Sequence, residues 1–267
     1  MTQYENEVKK RDVMCCMNAG NQGCGRKWSR MRIITDTGTD ILDKEAKKLG
    51  IELVAIRSNF TDTVFSENTE AEFTRFYDKL RQTDTLPVSS QPSPAEFLEL
   101  FEDAKEKQEE VVVITISSKL SGTYNGAMLA KDMAEYDNIY VVDSLQASLS
   151  ERLLVEYAVK LRDAGMGAKE LVRKLEQDRE RVILTGVPST LLYLKMGGRI
   201  SPVVAAVGGV IGIKPVLWLK DGVIESRSKA RGMRMAKSGM QSFLKDYEAD
   251  PAMPVMFAHS DNAEMGQ

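Results

Sequence analysis

The sequence predicts an α/β protein with two α/β domains, the first with a mostly parallel sheet flanked by helices, the second with a mixed sheet. Three observations predict this. Short apolar runs alternate with amphipathic stretches from Met31 onward. The run Val111-Val112-Val113-Ile114-Thr115-Ile116 is apolar on both faces, as a central strand covered by helices on both sides must be. After about residue 155 the rhythm loosens into Gly-rich turns, and Asp221-Gly222 stands as a hairpin signal between Val216–Leu219 and Val223–Ser226.

Residues 1–30 carry neither helical nor strand periodicity and read as a leader, either a disordered tail or a stretch ahead of a true start at Met31. From there the expected strands are Arg32–Thr35, Leu53–Phe60, Val111–Ile116, Tyr140–Val142, Val182–Val187, Val216–Leu219 and Val255–Ala258. Phe73, Phe76, Tyr77 and Leu80 recur at i, i+3, i+4 and i+7, which is one apolar face of a helix. Ser93-Pro94-Ala95-Glu96 combines an N-cap, a proline at the first helical position and a capping-box Glu, so a helix runs from Pro94 to about Lys107. A long helix starts after Ser144, Gly165 and Gly167 break it, and Lys169–Arg181 forms the next. The domains are expected over residues 31–155 and 156–267.

Composition excludes several classes. There are 36 Lys+Arg against 39 Asp+Glu, a net charge of -3, with 43% hydrophobic and 28% charged residues. Without a Lys/Arg-rich block, no nucleic-acid partner is expected. No apolar run approaches the roughly 18–20 residues that span a bilayer, and the leader has no apolar h-region. The cysteines, Cys15, Cys16 and Cys24, all lie in the leader, without paired C-x-x-C spacing or a nearby His, so neither a metal site nor a disulfide framework is expected. A body without thiols fits a cytoplasmic protein.

Hydroxyl side chains collect after the strands of the first half. Asp36-Thr37-Gly38-Thr39-Asp40 follows the first strand, Ser117-Ser118-Lys119-Leu120-Ser121-Gly122-Thr123-Tyr124 follows the central one, and Asp143-Ser144 follows Tyr140–Val142. Ligands of open parallel sheets bind beyond the carboxyl ends of the strands, where hydroxyls and helix N–H groups suit an anion. Val88-Ser89-Ser90-Gln91-Pro92-Ser93-Pro94 brings more hydroxyls ahead of another helix, Ser93 serving as its cap.

Familiar catalytic patterns fail. In Asp36-Thr37-Gly38-Thr39-Asp40, glycine stands where a phosphoaspartate motif would want its second Asp. Gly208-Gly209-Val210-Ile211-Gly212-Ile213-Lys214 lacks P-loop spacing, and no G-x-S-x-G elbow occurs. The single histidine, His259, sits in a strand-end context suited to a structural role. The residues themselves describe a binder of a small anion more than a catalyst. An enzyme, for example a phosphotransferase acting on a small hydroxylated substrate, is the alternative, since hydroxyls and an Arg also hold phosphate.

Six blocks in order resemble the DegV family, the fatty-acid-binding (FakB-type) subunits of bacterial fatty acid kinase: Ile34-Thr35-Asp36-Thr37-Gly38-Thr39-Asp40, Ser89-Ser90-Gln91-Pro92-Ser93, Ser118-Lys119-Leu120-Ser121-Gly122-Thr123-Tyr124, Val142-Asp143-Ser144, Gly197-Gly198-Arg199-Ile200-Ser201 and Ile213-Lys214-Pro215. The resemblance implies a non-enzymatic carrier that encloses one long-chain fatty acid, with no cofactor beyond that ligand. A separate kinase catalytic subunit would phosphorylate the carboxylate for phospholipid synthesis, with transient contact at the membrane surface. It implies that Ser89, a serine in place of the family's threonine, and Ser121 hold the carboxylate, that Arg199 joins the head-group network, and that Arg231 faces the kinase. Met128, Leu129, Leu149, Leu153, Leu154, Val203, Val207 and Val210 are expected as tunnel wall.

Two departures stand out. Family members usually close with a further helix, strands and an H-T-G-P-G block whose His joins the carboxylate site, whereas this sequence stops at Glu264-Met265-Gly266-Gln267. His259 lies in a context like the family's earlier H-A-D-N segment and does not replace that His. A second sheet incomplete at the C-terminus and a site one ligand short are therefore expected. Ser148-Leu149-Ser150-Glu151-Arg152 stands where the family tends to carry glycines, with consequences expected for the tunnel or its lid.

Overall fold

Alternating side chains of one parallel sheet build two cores, one on each face. The computed structural model describes residues 31–199, 203 and 212–260. The leader with its cysteines, most of the Gly208–Lys214 motif, Ser201, Val207, Val210 and the closing residues lie outside the described residues. The chain opens with β1 (Met31–Asp36), a 3-10 turn (Thr37–Thr39), α1 (Asp43–Leu49) and β2 (Ile51–Val54). Then come β3 (Arg57–Asn59), β4 (Val64–Phe65), α2 (Glu70–Gln82), β5 (Val88–Ser90) and α3 (Pro94–Glu106). The first half ends with β6 (Glu110–Thr115), α4 (Thr123–Ala134) and β7 (Ile139–Asp143). Beyond lie α5 (Leu149–Asp163), α6 (Ala168–Asp178), a 3-10 turn (Arg179–Arg181), β8 (Thr185–Gly186) and α7 (Leu192–Met196). A hairpin of β9 (Ile213–Lys220) and β10 (Val223–Arg231) precedes α8 (Met233–Leu244).

Strands β2-β1-β6-β7 form a four-stranded sheet, parallel throughout, and the runs expected at Arg32–Thr35, Val111–Ile116 and Tyr140–Val142 supply three of them. Successive strand residues face opposite sides. Ile33, Val112, Ile114 and Val142 therefore meet Leu154, Val155 and Ala158 of α5 and Leu171 and Leu175 of α6. Ile34, Val111, Val113 and Ile139 meet Phe97, Phe101 and Ala104 of α3 and Ala127, Ala130 and Ala134 of α4. The first core thus extends along the chain to Leu175, with Val182 packed against it.

Helix α3 starts as its capping box dictates. Glu96 Oε2 accepts from both the Ser93 amide and the Ser93 hydroxyl, each at 2.9 Å. Arg57 adds a two-pronged ion pair to the same carboxylate, its Nη2 2.7 Å from Oε1 and its Nη1 3.1 Å from Oε2. With the Arg57 bonds as the largest cause, the Glu96 carboxyl falls to about 2.

The strand expected over Leu53–Phe60 divides in two. β2 ends at Val54, the Ile56 amide leaves the ladder to donate to Thr37 Oγ1 at 2.9 Å, and β3 joins a separate antiparallel sheet, β4-β3-β5. Of Val182–Val187 only Thr185–Gly186 pairs, with Trp218 and Leu217 of β9, in the antiparallel sheet β10-β9-β8. Val255–Ala258 is not a strand: Val255 is 66% and Phe257 83% exposed, and the segment joins none of the three described sheets. The Asp221-Gly222 hairpin forms as expected, with positive φ at both turn residues (49° and 82°).

Candidate functional site

The C-terminal edge of the parallel sheet gathers the polar loops that the sequence singled out. Asp36, at the end of β1, is fully buried. Its Oδ2 accepts from the Ile116 amide and its Oδ1 from the Gly38 amide, both at 2.8 Å, so its oxygens organise two loops. Burial pushes its carboxyl up to about 7, against the lowering effect of those two bonds. Glu151, in the first turn of α5, is fully buried as well. Burial first, and then the neighbouring carboxylates of Asp36, Asp40 and Asp143, raise its carboxyl well above the usual range. Among the described residues, no group of three or more His, Cys, Asp or Glu is placed to hold a metal ion.

The loop after β6 is tightly folded. The Ser117 carbonyl accepts from the Leu120 and Ser121 amides at 2.9 and 3.1 Å, and the Ser118 amide donates to Asp143 Oδ1 at 3.1 Å. Ser121 Oγ, half-buried, shares a 2.8 Å hydrogen bond with Thr123 Oγ1 at the start of α4. Two distant segments close on this loop. Gln91 lies against Gly122 so closely that a Cβ there would meet the end of the Gln91 side chain, which would have to move aside. Arg199 Nε donates to the Leu120 carbonyl at 3.0 Å.

These contacts gather the segments carrying three of the four expected site residues. Arg199 bonds the residue before Ser121, and Gln91, two residues after Ser89, abuts the residue after it. Ser89 is exposed on β5 opposite Ser58, so the two hydroxyls share a sheet face. Ser58 in turn lines a cavity of about 250 Å³ with Thr37, Phe65, Phe73, Phe76 and Tyr77. Arg231 is exposed and stands at the far end of β10 from Gly222, about 30 Å away at roughly 3.3 Å per residue.

The expected wall residues separate. Leu154 is core of the parallel sheet, and Leu129 is 52% exposed. Val203 is buried with Leu217 on the second sheet, against Leu191, Leu194, Ile213 and Ile224. None of these wall residues lines the cavity. Sequence reasoning missed Ser117, Gln91 and Glu151 as organising residues. The SQP run signalled Gln91 only as loop, and nothing local distinguishes Ser117 from its neighbour Ser118.

Hydroxyl-bearing loops here meet beyond the carboxyl ends of a parallel sheet, the place where open α/β sheets bind their ligands. The family model described as "Uncharacterised protein, DegV family" matches residues 30–267, and the chain belongs to the DegV family. A DegV domain-containing protein of Caldanaerobacter subterraneus subsp. tengcongensis is 31% identical over 236 residues, covering 88% of this chain and 84% of that protein. A fatty-acid-binding DegV family protein from Thermus thermophilus is similar in structure, with a TM-score of 0.73, 31% identity, and coverage of 81% of this chain and 77% of that one. The Streptococcus pneumoniae fatty acid kinase B3 protein, loaded with linoleic acid, gives a TM-score of 0.70 and 28% identity over 81% of this chain and 78% of that one.

Proposed function

We propose that this protein binds one long-chain fatty acid, holds its carboxylate with Ser89, Ser121 and Arg199, and presents it to a separate kinase. The observation that carries the reading is the meeting of three segments: Arg199 on the Leu120 carbonyl and Gln91 on Gly122, either side of Ser121. Hydroxyl donors and a guanidinium suit a carboxylate and also the more negative acyl phosphate. The fatty acids bound by the Thermus thermophilus and Streptococcus pneumoniae proteins support the choice of ligand.

The apolar cluster of Val203, Leu217, Leu191, Leu194, Ile213 and Ile224 is proposed as part of the acyl wall, being apolar yet only partly closed. A chain of about 16 carbons gains roughly 0.8 kcal/mol per buried methylene, so few polar contacts suffice. Arg231, exposed and distant, is the residue proposed to face the kinase, which would feed the acyl phosphate to phospholipid synthesis in the cytoplasm. The carrier itself performs no phosphoryl transfer. The reading takes the boundary between its two bodies, expected at 155/156, to lie after Val182, and the packing of α5 and α6 on the first sheet supports it.

Native mass spectrometry of the protein purified from bacteria tests the reading. One co-purifying fatty acid per chain is expected. A lipid-free protein that transfers phosphate to a small substrate unaided would replace the carrier with an enzyme.

A further inference from the structure

The tip of the β9–β10 hairpin is plugged into the loop that carries Ser121. Gly222, buried, offers its carbonyl to Ser117 Oγ at 2.7 Å across 105 residues of chain. Ser117 is itself fully buried, and every polar atom it has is engaged. Its amide donates to the Gln146 carbonyl at 2.8 Å, and its Oγ accepts from the Lys119 amide at 3.2 Å. Its carbonyl takes the Leu120 and Ser121 amides, so one residue holds the hairpin on one side and the Ser121 backbone on the other. The fit at the tip is close: a Cβ on Gly222 would lie 2.5 Å from Ser117 Oγ, 3.0 Å from Leu145 Cδ2 and 3.2 Å from Lys119 Cγ. At φ 82°, a side chain there would also strain the backbone.

From this geometry we propose that Ser117 is a positioning residue for the ligand head group, with the Asp221-Gly222 turn as the clamp that sets it. The inference rests on the fatty-acid reading for what Ser121 binds, and on this chain's own contacts for the clamp. When the turn is seated, Ser117 is pinned and the Leu120 and Ser121 amides are held, which aims Ser121 Oγ. When the turn is displaced, the Ser117 hydroxyl loses its acceptor and the Ser121 loop loosens. The hairpin thereby couples the second sheet to the carboxylate site, so that movement of one changes the grip of the other.

The test uses the full chain, as wild type, Ser117→Ala and Gly222→Ala. Two readouts are taken. Amide hydrogen exchange at Leu120 and Ser121 reports the clamp without ligand. Affinities for palmitate and for hexadecanol, which has the chain but no carboxylate, report its effect on the head group. Faster exchange in both variants is expected, with the palmitate-over-hexadecanol preference reduced about tenfold while hexadecanol binding holds. Unchanged exchange at both amides in a folded variant overturns the clamp whatever the ligand. A wild type that exchanges as described but binds no palmitate overturns the fatty-acid reading and the head-group role with it, leaving the clamp as a separate finding. Loss of fold in both variants overturns the proposal too, since the contact would then hold the fold and not the loop.

Discussion

Glu151 shows how one side chain sets the pH response of this fold. It is fully buried in the first turn of α5 and faces the carboxylates of Asp36, Asp40 and Asp143. An acid whose folded pKa is raised binds its proton more tightly in the native state. Stability from such a group is complete below its unfolded pKa and is lost as pH rises through the folded value. Asp36, raised to about 7, acts in the same direction. The protein is therefore expected to lose stability between about pH 4 and pH 8. Glu151→Gln, which keeps the shape and removes the charge, should raise the melting temperature at pH 8 by several degrees and change it little at pH 5. Calorimetry at the two pH values checks this, and a variant melting lower than wild type at pH 8 would contradict the account.

At the scale of elements, the tie between α3 and the β4-β3-β5 sheet matters most for Ser89. Arg57 stands opposite Ser90 in that sheet and grips Glu96 of the capping box. Glu96→Ala removes the cap and the ion pair together, and should cost about 1–2 kcal/mol, or roughly 2–4 °C per kcal/mol in a chain of this size. Because the Glu96 carboxyl is lowered to about 2, its contribution is present above its unfolded value and disappears as pH falls from about 4.5 through 2. Thermal melts at pH 7 and pH 3 should thus show a larger gap between variant and wild type at pH 7.

The elements legible in the sequence were those whose causes are local. The apolar run of β6, the capping box of α3 and the Asp221-Gly222 turn each carry their signal within a few residues. Leu53–Phe60 misled because its break depends on Thr37, 19 residues earlier, taking the Ile56 amide out of the ladder. Val255–Ala258 has strand composition but pairs with none of the described sheets, and pairing is not a local property. The site divides the same way. Its hydroxyl blocks were visible in the residues and the family resemblance, whereas Gln91 on Gly122, Arg199 on Leu120 and Ser117 on Gly222 exist only through long-range closure.

The whole molecule places its cores unequally. Both clusters on the parallel sheet are built from residues between Ile33 and Leu175, whereas among the described residues the second sheet and α8 bury a smaller set, Val203, Val216, Leu217, Leu219, Ala236 and Phe243. A fragment spanning residues 31–182 should fold alone and melt cooperatively, yet retain no fatty acid, since it lacks Arg199 and the hairpin that clamps Ser117. Circular dichroism and native mass spectrometry of the fragment check both halves of that expectation. A fragment that melts without cooperativity would mean that the first body depends on the second.

The crystal structure of the lipid-loaded protein is the most direct examination of the central claim. The Ser89 and Ser121 hydroxyls should each lie about 2.5–3.0 Å from the oxygens of one carboxylate, with the Arg199 guanidinium beside it. A fatty acid seated elsewhere, or two hydroxyls too far apart to share one head group, would contradict it.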